Sequence, residues 1–142
     1  MRRVENYMKL FIPALSINEG LSRNAVASFV AGLNPTLDEL SDIKCAVSEA
    51  VTNSIVHGYK YAQGIIYIGV KYYSDRTVII EVTDKGCGIE NVNQAMTPLF
   101  TTDTSGERSG MGFAVMQSFM DKLTVRSRLG EGVRILMTKH LK

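Results

Sequence analysis

Between Cys45 and Gly58 the sequence reads CAVSEAVTNSIVHG, and Glu49 is its single formal charge. A solvated helix face normally carries several Lys, Arg or Glu. Asn53 and His57 follow Glu49 at steps of four, so on a helix the three drift slowly along one ridge. A carboxylate and an amide one turn apart on a weakly polar wall can share a small cation and a water. They can equally be a buried ion-pair partner and a side-chain cap. Further on, Asp84-Lys85-Gly86-Cys87-Gly88 places a carboxylate at the end of a β-branched run, followed by two glycines that let a ligand come close. Such a carboxylate can accept a hydrogen bond from an exocyclic amine, or simply close an Asp/Gly turn. Third, Ser109-Gly110-Met111-Gly112-Phe113 puts small residues at the opening of a helix, where outward backbone N–H groups suit phosphate. No GxxxxGK[ST] occurs, and GxGxxG fails because position 115 is Val, so a plain glycine-rich helix opening fits too. Arg108 stands before that helix, placed to reach a terminal phosphate or to sit in solvent.

The elements that must hold these groups follow from pattern. Residues 7–15 read as a strand. Residues 18–33 carry Leu21, Ala25, Phe29 and Leu33 at steps of four, with Val26 and Val30 beside them, an amphipathic helix. Asn34-Pro35 breaks it. Thr36 and Glu39 form a capping-box pattern for a second helix with a Leu40, Ile43, Val47, Val51 and Ser54 stripe, which ends at Gly58 as a C′ residue. Strands at 64–73 and 76–84 form a hairpin around Ser74-Asp75. Residues 85–109 show little periodicity, a length without regular structure that is usually functional. A helix over 110–120 and strands at 122–128 and 133–141, around Gly130-Glu131-Gly132, complete the order β, α, α, β, β, loop, α, β, β. This order predicts one α+β domain over residues 1–142: a two-layer sandwich whose mixed, mostly antiparallel sheet is covered on one face by three helices.

Composition narrows the class. A chain of 142 residues with 45% hydrophobic and 21% charged residues is globular and large enough for one core. A net charge of +2, with no basic run, argues against direct nucleic-acid binding. The N-terminal MRRVENYMKLFIPAL lacks a signal-peptide core, and no run approaches the roughly 18 apolar residues of a membrane span. Cys45 and Cys87 form no CxxC pair and lack metal-ligand company, which fits a reducing cytoplasm. They are expected to be a small core residue and a loop residue.

Taken in order, ExxxN on a helix, DxGxG after a strand, an irregular segment and GxG opening a helix form one set. The set resembles the GHKL ATP-binding superfamily shared by gyrase, the Hsp90 chaperone, sensor histidine kinases and MutL. Glu49-Ala-Val-Thr-Asn53 is similar to its N box, Asp84-Lys-Gly86-Cys-Gly88 to its G1 box and Gly110-Met-Gly112 to its G2 box. SEAVTNSIVHGY, PLFTT and ERSGMGFAVMQSFMD resemble more closely the anti-sigma F family of spore-forming bacteria, protein serine kinases; the anti-sigma B stress-response family shares the boxes.

The resemblance implies ATP/ADP and Mg²⁺ as cofactors, with Glu49 as general base for a substrate serine and Asn53 as the Mg²⁺ ligand. It implies Asp84 on the adenine amine and Gly86 and Gly88 admitting the base. Residues of about 91–109 would form an ATP lid, including Thr101 and Thr102. Arg108 would lie near the γ-phosphate, and Ser109, Gly110, Met111 and Gly112 around the phosphates. It further implies a sigma factor and an anti-anti-sigma factor as partners, Arg23 at the partner surface, and a homodimer formed with the first strand and helix. One departure is Val133, where the family usually places a threonine that supports the adenine–water network. His57 receives no role.

Other functions compete. A nucleotide-gated binding protein without turnover has no need of Glu49 as a base. A sensor histidine kinase needs an acceptor His, and neither His57 nor His140 is placed for that. A gyrase- or chaperone-type ATPase needs transducer domains, for which 142 residues leave no room.

Overall fold

The computed structural model describes residues 2–96 and 112–142. The strands are β1 (Val4–Pro13), β2 (Ile65–Tyr73), β3 (Thr77–Asp84), β4 (Lys122–Ser127) and β5 (Val133–His140). The helices are α1 (Ile17–Val30), α2 (Leu37–Asn53), the short α3 (Val92–Ala95) and α4 (Gly112–Phe119). The sheet order is β1-β2-β3-β5-β4. Every pairing is antiparallel, so the mixed sheet expected from the sequence has no parallel pair among the described strands. Helices α1, α2 and α4 form the second layer, with α2 packed between the other two.

The core lies between the layers. Ile66, Ile68, Val70, Val78, Ile80, Val82, Ile135 and Met137 alternate inward from the central strands, against Val26, Val30, Ile43, Val47, Val51 and Met116 of the helices. Alternation with period two on the strands and three to four on the helices is what a half-covered sheet demands. The predicted capping box is present: the Thr36 hydroxyl accepts from the Glu39 N–H at 3.1 Å, and Glu39 accepts from the Thr36 N–H at 2.9 Å. Glu39 also accepts from the Lys142 N–H at 2.9 Å. Backbone donors at Thr36 and Lys142 therefore hold the Glu39 carboxyl below the usual range.

Five local expectations are corrected. In α1, Leu21 is exposed and the buried residues are Ser22, Val26, Ala27 and Val30, with Phe29 and Leu33 partly buried against the core, so the inward face is centred on Val26 and Val30; the helix ends in a 3-10 turn, Ala31–Leu33. Leu40 in α2 is only half-buried, and Cys45 is exposed rather than a core residue. The Ser74-Asp75 gap includes Arg76, which takes a left-handed φ of 68° and gives the three-residue turn preferred for a twisted hairpin. Gly58 does not terminate its helix as a left-handed C′ residue. Residues Ser54–Gly58 form a π-turn, and the positive φ angles fall on Lys60 and Tyr61. Among the described residues, no helix is long and apolar enough to cross a membrane.

Candidate nucleotide site

The site is assembled where the C-terminal half of α2, the end of β3 and the start of α4 meet. Glu49 and Asn53 are carried by α2, whose capping box fixes its start and whose Val47 and Val51 anchor it on the sheet. Asn53 is buried and Glu49 half-buried. A Cβ built on Gly112, the first residue of α4, would lie 3.6 Å from Glu49 Oε2. The carboxylate therefore faces the opening of the helix expected to receive phosphate.

At the other end of the site the π-turn brings Gly58 over Asp84. A Cβ on Gly58 would stand 2.9 Å from Asp84 Oδ2 and 3.0 Å from Oδ1, so this residue is glycine for close approach. π-turns inserted in α-helices often mark functional sites, and here the insertion re-aims the chain end toward the carboxylate. The loop after Asp84 is tied to the same turn. The Cys87 N–H donates to Gly58 O at 2.8 Å and the Cys87 thiol to His57 O at 3.1 Å. A Cβ on Gly86 would fall 2.1 Å from Gly58 O, and Gly88 turns at φ 76°. The backbone carbonyls of Gly58 and His57 thus anchor the loop.

Asp84 is 3% exposed. Its Oδ1 accepts from the Gly86 N–H at 2.9 Å, while its Oδ2 has no hydrogen-bond partner. The Ser54 hydroxyl, buried nearby, is likewise unpartnered. Burial pushes the Asp84 carboxyl above the usual range; the Gly86 N–H, the Ser54 hydroxyl and the Val133 amide pull it partway back, the last two without closing a full hydrogen bond. Val133 pairs directly with Asp84 across β3 and β5 and is buried, so its apolar side chain contributes to that desolvation. A buried acceptor left open is costly unless something fills it. An amine donor on a flat, apolar base fits this one.

Tyr59 was not singled out from sequence. Its hydroxyl accepts from the Lys85 N–H at 2.8 Å and donates to Ile65 O at 2.6 Å, stapling the Asp84 loop to the start of β2. Ser54, counted only as core from its spacing, belongs to the site. An aromatic residue in a turn gives no periodic signal, so only tertiary structure exposes its part. Thr101, Thr102, Arg108, Ser109, Gly110 and Met111 lie outside the described residues, as does most of the expected lid; its first residues include α3, capped by Asn91 on the Gln94 N–H at 3.0 Å. Arg23 stands apart on α1, paired with Glu19 at 2.9 Å. A cleft of about 540 Å³ at the ends of β3, β4 and β5 shares only Asp84 with the three-element site, so it is not the groove between α2 and α4.

Residues 12–139 match the histidine kinase-like ATPase domain family. Curated relatives named "Anti-sigma F factor" are 48% identical in Priestia megaterium and 52% identical in Clostridium acetobutylicum; the alignments cover 97% and 96% of this chain, and 95% and 94% of the relatives. The chain belongs to the histidine kinase-like ATPase family, in the branch of the anti-sigma F factors. Glu49–Asn53, Asp84–Gly88 and Gly112 all fall inside the matched residues. A solved structure of the RsbU and RsbW domains of a Mycobacterium tuberculosis protein shares the fold, with a TM-score of 0.68 at 18% identity, covering 96% of this chain and 32% of that one.

Proposed function

We propose that this chain is an ATP-dependent serine kinase that phosphorylates an anti-anti-sigma factor, and that in its nucleotide-bound state it binds and silences a sporulation sigma factor. The observation that carries the kinase reading is the Glu49 carboxylate 3.6 Å from the Cβ position of Gly112. Nucleotide binding alone needs no carboxylate at the phosphate end. A general base for a hydroxyl belongs there.

The residues then divide the work. Asp84 accepts the adenine amine at its open Oδ2, and Gly58 and Gly86 leave room for the base. Asn53, with a hard amide oxygen one turn beyond Glu49, would hold Mg²⁺, which when bound neutralises phosphate charge. Glu49 orients the substrate serine hydroxyl and takes its proton as the new Oγ–Pγ bond forms and the bond from Pγ to the bridging oxygen breaks, leaving ADP. Positioning and charge neutralisation carry most of such a barrier. By the family resemblance, Arg108 and the backbone of Ser109, Gly110 and Met111 would complete the phosphate cradle, with Thr101 and Thr102 in the lid.

Arg23 fits a partner surface because its ion pair with Glu19 is half-exposed and weak, so a partner carboxylate can compete for it. A homodimer formed through β1 and α1, in the cytoplasm, completes the proposal. The test is incubation with γ-labelled ATP, Mg²⁺ and a purified anti-anti-sigma protein. Label on a partner serine supports the kinase; tight ATP binding with no labelled serine assigns a nucleotide-gated binder instead.

A further inference from the structure

The side of the sheet away from the helices carries a different pattern. Strand register places its residues in rows: Phe11–Tyr67–Thr83–Arg134–Arg126, then Lys9–Gly69–Glu81–Leu136–Thr124, then Tyr7–Lys71–Ile79–Thr138–Lys122. Five cations and one carboxylate share this face, while the whole chain has a net charge of only +2. The remaining surface is therefore net negative, and the positive charge is concentrated here. Arg126 and Arg134 stand directly opposite each other on neighbouring strands, an arrangement that is destabilising when unrelieved. Glu81 answers Arg134 at 3.1 Å; no carboxylate pairs with Arg126 among the described residues.

Between the cations lies an aromatic groove. Phe11 and Tyr67 pack at 5.0 Å between centroids, and Phe11 and Tyr7 are about two-thirds exposed, at 66% and 64%. Gly69 lets the Tyr67 ring lie flat along the strand: a Cβ there would meet its hydroxyl at 2.5 Å. A groove of about 200 Å³ results, lined by Tyr7, Lys9, Tyr67, Lys71, Glu81 and Arg134 among others. Exposed aromatics and arginine are enriched at protein-binding surfaces, with other charges confined to the rim, where Lys9 and Lys71 flank this groove.

We propose that this helix-free face docks an acidic segment of a partner protein. Carboxylates of the segment pair with Lys9, Lys71 and Arg126, and one apolar side chain enters the groove beside Tyr67. Charge complementarity selects this occupant. A second copy presenting the same face would bring like charges together, so the homodimer proposed above uses α1 and the open edge of β1 and leaves this face uncovered. The modest net charge of the chain supplies little of the long-range attraction that nucleic-acid binding draws on. Glu49 and Asn53 belong to the helix layer on the other side of the sheet, so the proposal does not depend on kinase turnover.

The experiment uses the full chain and a fluorescein-labelled peptide, Glu-Glu-Glu-Leu-Glu-Glu-Glu, followed by anisotropy at low and physiological salt. Lys71→Glu and Arg126→Glu should each weaken peptide binding tenfold or more, and Phe11→Ala threefold or more. ATP affinity by calorimetry stays unchanged in all three, which also shows that they fold. Lys142→Glu makes the same charge change off this face and should leave the peptide bound. Equal loss with Lys142→Glu would reduce the effect to bulk charge and overturn the proposal. So would tighter binding of a twelve-residue oligothymidine through the same residues, which would assign the face to nucleic acid. Failure of the peptide to bind, with Lys71→Glu converting a dimer to a monomer in sedimentation, would give the face to a second copy.

Discussion

Replacing Asp84 by Asn should move nucleotide affinity and apo stability in opposite directions. The side chain is 3% exposed, with Oδ1 satisfied by Gly86 and Oδ2 open. In Asp84→Asn the amide oxygen can keep the Gly86 bond, which turns the NH₂ toward the place of Oδ2. The adenine amine then meets a donor. The loss comprises a hydrogen bond to a charged acceptor, roughly 1.5–3 kcal/mol, and a buried donor left unpaired, about 1–3 kcal/mol. Together, about 2.5–6 kcal/mol corresponds to ATP affinity weakened roughly 10²–10⁴-fold.

Without nucleotide the sign reverses. Because burial raises the folded pKa of Asp84 above its unfolded value, the group adds stability only as pH falls from that raised value toward the unfolded one; near neutrality the buried charge opposes folding. Asn removes the charge, so the apo melting temperature at pH 7 should hold or rise, and the gain in stability on mild acidification should shrink. Calorimetry with ATP and thermal denaturation without it make the pair of measurements. Unchanged affinity, or an apo form clearly less stable at pH 7, would refute the reasoning.

Glu49→Gln should bind ATP normally and transfer phosphate about 10²–10⁴-fold more slowly in a labelled-ATP assay, because only the proton acceptor is lost. In Gly58→Ala the new methyl meets both Asp84 carboxyl oxygens at about 3 Å; ATP should bind at least tenfold more weakly by calorimetry, with a stability cost of about 1–3 kcal/mol in urea unfolding. Tyr59→Phe frees the Lys85 N–H and Ile65 carbonyl. Its KM for ATP should rise while kcat holds, since the loop is loosened and the phosphate end is not. The depressed Glu39 pKa works opposite to Asp84: its stabilisation is present above the unfolded carboxyl pKa and lost as pH falls through the folded one. Glu39→Gln should therefore flatten the acid limb of a stability–pH curve.

Residues with local causes were readable in advance. The capping box at Thr36 and Glu39, the Ile43/Val47/Val51 stripe and the alternating strands state their structure within a few positions of chain. The Glu49–Asn53 and Asp84–Gly88 stretches stood out because each is short and local, and the fold sets Glu49 beside Gly112 and Asp84 beneath Gly58. What escaped depends on neighbours distant in sequence. Gly58 looked like a helix terminator because a glycine after an amphipathic run usually is one; its actual constraint is Asp84, which only the fold brings beneath it. The stripe in α1 was centred too far toward Leu21, because Leu21 and Val26 are equally apolar and only packing on α2 sets the middle of the buried face. Tyr59 and Ser54 enter the site through single hydroxyls, which periodicity does not register.

The strand order has a kinetic consequence. Of the four strand pairings, only β2–β3 and β4–β5 join neighbours in the chain; β1 reaches β2 across both large helices, and β3 reaches β5 from Asp84 to Val133. Pairings between distant segments form late, because loop closure must precede any reward. Asp84 closes the last rung of β3–β5, so the proposed adenine acceptor is in place only once this non-local pairing has formed. Nucleotide then binds the finished fold alone and stabilises it by mass action. In refolding, recovery of ATP binding should be the slowest signal, trailing helix formation, and added ATP should raise the final yield without speeding its first phase.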